Sequence, residues 1–152
     1  MMSGCINKNE LIARLIRFSQ TPSRNHIAFV TQCDDELHFV DIGLELSMKV
    51  EDILSDRRLS LKSQDYLNDI LNMHLVDADG IVSYLAIKNI GILFEPLLMI
   101  DVEALFNKWS QNTMLIVDLG KGDVSRERFF LVPHCDLRYS VDLHELNYMI
   151  MN

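Results

Sequence analysis

Two short runs of almost unbroken apolar residues, Ile81 to Ile87 and Met114 to Leu119, most narrow the folds open to this chain. A strand that is apolar at nearly every position must be covered on both faces, and a parallel sheet with helices packed against it meets that condition. Between the two runs, Asp101 precedes Val102, Leu105, Phe106 and Trp109, the spacing of an amphipathic helix behind an acidic N-cap. Strands and helices therefore alternate through this half of the chain, as they do in α/β domains.

The first half carries weaker signals. Leu11, Ile12, Leu15 and Ile16 make a helical stripe that predicts a helix over residues 8–20, stopping before Thr21-Pro22. His26 to Thr31 and Leu37 to Ile42 are β-rich, and only Gln32-Cys33-Asp34-Asp35-Glu36 joins them. A parallel crossover ordinarily takes a dozen or more residues, so this link predicts an antiparallel hairpin over 26–42. Leu44, Leu46, Val50, Ile53 and Leu54 then read as a helix, and Ser63 as the N-cap of another through Tyr66, Leu67, Ile70 and Leu71. Glu95-Pro96 reads as a loop, Phe129 to Val132 as a strand stopped by Pro133, and Leu143 to Met151 as a short helix or an edge strand. The expected product is one α/β domain over residues 1–152. Its mostly parallel sheet is flanked by helices and carries the antiparallel hairpin at or near one edge.

A formal charge of −8 opposes binding to a phosphate backbone unless the basic residues share one face. The only visible clusters, Arg57-Arg58 with Lys62 and Lys121 with Arg126 and Arg128, read as solvated faces. Three widely spaced cysteines, Cys5, Cys33 and Cys135, and the lack of a basic-then-apolar leader predict a reducing cytoplasm. The most apolar stretch, Ile87 to Val102, is interrupted by Lys88, Asn89, Glu95, Pro96 and Asp101, so no membrane span is expected.

Candidate chemistry is sparse. Phosphate-binding loops place glycines and a lysine just after the first strand, but Val30 is followed by Thr31 and an acidic link. Gly120-Lys121-Gly122 follows a late strand and reads as a turn. The histidines His26, His38, His74, His134 and His144 lack the spacing of a zinc-binding helix. His134 and Cys135 with Cys33 and His38 would make four ligands, but adjacent residues on a strand point to opposite faces, so no cofactor is expected. Asp77, Asp79, Asp118 and Asp123 flank strand ends, where α/β folds hold ligands. Of these, Asp118 with Asp77 or Asp79 is the candidate metal-binding set of a hydrolase, although turns and caps use the same residues. After the strand Ile81 to Ile87 come Lys88, Asn89 and Gly91, where phosphoryl-transfer domains hold Mg²⁺ with carboxylates; a lysine there repels the ion. Leu44-Glu45-Leu46-Ser47-Met48 and Met149-Ile150-Met151 suggest either core or an adaptable partner-binding surface.

Five short segments stand out by their order and spacing: Phe39-Val-Asp-Ile-Gly-Leu-Glu-Leu-Ser47, Ile90-Gly-Ile-Leu-Phe-Glu-Pro96, Trp109-Ser-Gln-Asn-Thr-Met-Leu-Ile-Val117, Gly120 and Pro133-His134. Over about residues 37–142 the chain resembles the small P-loop protein of BREX-type phage-defence systems, the BrxF-like family. The resemblance implies a P-loop-NTPase-like sheet and binding of a nucleoside triphosphate through a Gly-rich loop, an acidic strand end and basic residues. Each such position departs here. The loop and its helix have no counterpart after Val30, the acidic strand-end positions fall on Lys88 and Gly91, and the arginine of a Ser-Arg-Asn-like turn is Gln111. No catalytic or cofactor-binding residue carries over. The expectation is a non-catalytic, NTPase-like subunit that docks other proteins of a prokaryotic anti-phage defence or DNA-modification assembly, with homo-oligomers also open. A metal-dependent hydrolase and a nucleic-acid-binding regulator are the alternatives.

Overall fold

Every residue of Ile27–Val30 (β1) is buried, as are Leu85, Ala86 and Ile87 of Tyr84–Lys88 (β3) and the first four residues of Met114–Asp118 (β4). Strands so completely apolar belong inside a sheet. The computed structural model, which describes residues 8–31, 38–76, 83–111 and 113–151, puts them there. With Phe39–Asp41 (β2) and Tyr148–Met151 (β8) they form a five-stranded sheet of order β2-β3-β4-β1-β8, parallel at every pairing. The tail is thus an edge strand, one of the two forms expected for it.

Side chains alternate across a sheet, and here the alternation separates two apolar layers. Ile27, Phe29, Leu85, Ile87, Leu115 and Val117 face the larger one. It is completed by Leu46 of Ile42–Val50 (α2), Leu67 and Ile70 of Leu59–His74 (α3), and Phe106 and Trp109 of Val102–Trp109 (α4). Ala28, Val30, Ala86, Met114 and Ile116 face the other layer, where Leu15 of Lys8–Ser19 (α1) packs.

The predicted hairpin over 26–42 does not form. β4 and β3 lie between β1 and β2, and all four strands run the same way. The dozen-residue rule assumes a helix in the crossover. Strands this short need only about 14 Å across three strand spacings and about 13 Å back along β1. Residues 31–38 reach about 26–29 Å when extended. Residues 32–37 lie outside the described part.

α3 begins at Leu59 rather than at a Ser63 cap. Leu59 is buried and brings the first turn into the core, while the hydroxyl of the fully buried Ser63 donates to the Leu59 carbonyl at 2.7 Å. Asp101 caps α4 as predicted, accepting from Ala104 N–H at 3.0 Å. On either side of Glu95 the expected loop is built from 3-10 turns, Ile90–Phe94 and Pro96–Leu98.

Of a second sheet the sequence predicts one strand only, Phe129 to Val132, which forms over Arg128–Phe130. Asp123–Ser125 (β5), Arg128–Phe130 (β6) and Ser140–Asp142 (β7) pair antiparallel in that order. Arg126 and Glu127 turn between β5 and β6 with φ of 53° and 59°, conformations for which Asn-Gly is the familiar signal. Through Phe129 and Val141, with Leu143 just beyond β7, this small sheet closes the larger core layer. Among the described residues no helix is long and apolar enough to cross a membrane.

Candidate functional site

The chain leaves β1 toward β2 on one side and reaches β8 from β4 on the other, so the direction of winding reverses between β1 and β4. In parallel α/β sheets ligands bind outside the carboxyl ends of the strands at such a reversal. Here that point lies between Val30 and Asp118, which are register partners. Asp118 accepts the Gly120 N–H at 3.0 Å and so shapes the turn leaving β4, where Gly120 takes φ of 58°. Its proposed partners, Asp77 and Asp79, lie outside the described residues. Asp123 is part of β5.

The neighbouring carboxyl ends of β3 and β2 form a built arrangement. Lys88 and Asp41 are register partners. Asn89 follows in the left-handed region, φ 56° and ψ 53°, which asparagine tolerates better than most residues. From there its Nδ2 donates to Asp41 Oδ1 at 2.9 Å, and the same oxygen accepts the Leu44 N–H at 2.9 Å as the N-cap of α2. Burial pushes the Asp41 carboxyl up, but the Leu44 N–H, the Asn89 amide and the Lys88 charge outweigh it and hold the group below its ordinary value. Gly43 lies beneath: a Cβ there would stand 2.3 Å from Asn89 Nδ2 and 2.8 Å from the Asn89 carbonyl oxygen. Gly91, by contrast, has room, since a Cβ would meet only Leu131 at 3.8 Å. Lys88 and Asn89 thus brace the junction of β2, β3 and α2.

This arrangement has a pH signature. Because the folded Asp41 pKa is depressed, its stabilisation is present above the unfolded value near 3.9 and is lost as pH falls through the lower folded value. Asp41→Asn retains a capping side chain and removes the titration. The acid limb of a stability-against-pH curve, measured by urea unfolding, is expected to flatten in this variant below about pH 4. An unchanged limb would show that the carboxylate is not held.

The remaining sequence candidates do not converge. His38 stacks on His74 with ring centres 5.8 Å apart, and His74 Nε2 lies 2.9 Å from Glu45. His26 Nε2 is 3.1 Å from the Thr21 carbonyl oxygen. His144 pairs with Glu127 at 3.1 Å, a hydrogen bond that raises its pKa. Cys135 Sγ donates to the Tyr139 carbonyl, His134 occupies a left-handed turn with φ of 62°, and Cys33 lies outside the described residues. Among the described residues no group of three or more His, Cys, Asp or Glu side chains is arranged to hold a metal ion. Gln111 donates to Asn107 Oδ1 at 3.2 Å. The basic clusters are partly engaged locally, Lys62 by Asp56 at 2.6 Å and Arg128 by Ser140 Oγ at 2.9 Å.

α2 exposes Leu44 and Met48 while burying Leu46. The stretch 44–48 is therefore both core and surface, and so is 149–151, where Met151 is buried and Ile150 exposed. A groove of about 570 Å³ runs beside α2, and a second of about 610 Å³ lies between Phe94–Glu103 and β7. Near the latter, burial and then Asp142, Asp101 and Glu145 raise the Glu103 pKa. Of the predicted helical stripe Leu46 and Val50 are buried while Leu44 and Leu54 are exposed, and the walls of these grooves come from separate chain segments. No protein-family model, curated protein or solved structure matches this chain.

Proposed function

We propose that the chain is a non-catalytic, NTPase-like interaction subunit, serving a prokaryotic anti-phage defence or DNA-modification assembly. The observation that carries the first half of this reading is the strand end at β3. Where a nucleotide-hydrolysing domain needs carboxylates for Mg²⁺, this chain has Lys88, whose charge repels the ion, and Asn89, whose amide is engaged by the capping residue Asp41. The strand order supports the same reading. β1 lies inside the sheet, with β4 inserted between it and β3 and the last strand outside it, the order of P-loop domains that carry an additional strand. Yet only residues 31–38 connect β1 to β2, which leaves no length for a phosphate-binding loop followed by its helix. The assignment to a defence or DNA-modification assembly rests on the resemblance of the segments between residues 37 and 142.

Isothermal titration of the full chain with ATP–Mg²⁺ is expected to give no saturable heat, and no phosphate release is expected above the buffer rate. Micromolar binding or measurable hydrolysis would overturn the reading. Co-purification of the chain from its native host with a methyltransferase or helicase would support the assembly half.

A further inference from the structure

We propose that the groove beside α2 is the docking site for an amphipathic helix of a partner protein, one with a row of apolar side chains flanked by lysine or arginine. This deepens the interaction-subunit reading and rests on it for the existence of a partner. The floor is apolar, formed by Val50, Ile92 and Leu98, and the walls are Leu54 and Leu97, which are 57% and 64% exposed. Leu44 and Met48, 55% and 64% exposed, stand on α2 outside this groove. Isolated exposed leucines are ordinary, but Leu54 and Leu97 line one groove above an apolar floor, which marks an interaction surface.

The chemistry of the surroundings selects the occupant. The charged side chains lining the groove are Glu51 and Glu95, both exposed, on opposite walls. Lys49, the nearest base in sequence on α2, is turned toward the ring of Tyr66, 5.4 Å from its centre. An anionic rim on a chain of charge −8 favours a cationic partner and disfavours nucleic acid and anionic membranes. The walls are a helix and a 3-10 turn, not a strand edge, so an extended peptide gains no ladder of main-chain hydrogen bonds. A helix with internally satisfied backbone has no such need, and its apolar stripe fits the floor between Leu54 and Leu97. A second copy of this chain is the poorer occupant, because both partners would bring the same acidic rim. The amphipathic helix with Arg14 and Arg17, α1, already packs Leu15 and Phe18 on its own sheet.

The test is fluorescence anisotropy with the full chain and two labelled helical peptides of about four turns. Both carry leucines at i, i+4 and i+7, one flanked by lysine and arginine and the other by glutamate. The basic peptide is expected to bind saturably and at least about tenfold more tightly than the acidic one, and to weaken with added salt. Leu54→Glu and Leu97→Glu are each expected to weaken it at least about tenfold, in proteins whose melting temperature is unchanged because both sites are exposed. The double variant Glu51→Lys/Glu95→Lys is expected to invert the preference between the peptides. Absence of saturable binding, equal affinity for the two peptides, or indifference to the groove substitutions would overturn the proposal. So would a dimer that Leu97→Glu dissociates and the basic peptide does not. ATP–Mg²⁺ binding by a chain that also takes the peptide would defeat the non-catalytic reading and leave the groove standing. A chain that binds neither would lose the groove alone.

Discussion

Phe29→Ala is expected to destabilise the fold by about 3–5 kcal/mol, the range for deleting a fully buried aromatic ring. Phe29 is completely buried in β1, the strand between β4 and β8. Its ring lies 5.5 Å from that of Phe129 with an interplanar angle of 11°, 6.5 Å from Phe106 and 6.0 Å edge-on from Tyr148. One side chain thus joins β1 to the small sheet, to α4 and to the edge strand. Three rings bordering one cavity, drawn from separate elements, leave little scope for collapse around it, which puts the cost in the upper part of the range. Urea denaturation followed by Trp109 fluorescence measures the loss. Phe29→Leu, which keeps much of the volume, is expected to cost less than half as much. A loss below about 1 kcal/mol for the alanine variant would show that the small sheet is not docked through this ring.

Gly43→Ala is expected to destabilise by about 1–3 kcal/mol, although it places a better helix former near the start of α2. On propensity alone the substitution would gain up to about 1 kcal/mol. The new methyl, however, would meet the Asn89 side chain at 2.3 and 2.7 Å and the Asn89 carbonyl at 2.8 Å. Relieving the contact requires Asn89 to release Asp41, which weakens the cap of α2, or the β3 end to move. Pairing it with Asn89→Gly separates these effects. The double variant removes the two side-chain contacts but leaves the carbonyl, so its cost is expected to fall short of the sum of the single costs. A gain in urea midpoint for Gly43→Ala would sink the description of this junction, and with it the structural role given to Asn89.

The strand-end junction also shows how legibility in the sequence fails. Lys88 and Asn89 are conspicuous as absences of carboxylates, and that much is visible in an apolar run that ends in a lysine. What replaces the lost chemistry is not visible, because Asp41 and Asn89 meet only when β2 is laid against β3. Asp101 was legible as a cap because its partner, Ala104, is three residues away. Ser63 misled because the same residue type bonds one turn back inside a helix. The five-residue polar link misled for a different reason. Connection length bounds what a crossover can span, and very short strands lower the bound.

Local rules and apolar patterning were enough to determine that this chain builds an α/β domain, that its central strands are buried on both faces, and where α1 and α4 lie. They act over neighbours in sequence, and each run carries its own evidence of burial. The strand order, the second sheet, the Asp41–Asn89 junction and the acidic groove were decided only in three dimensions. The second sheet pairs near neighbours and owes its place to packing on the larger core layer; the others join segments tens of residues apart, whose meeting depends on the balance of packing over the whole core.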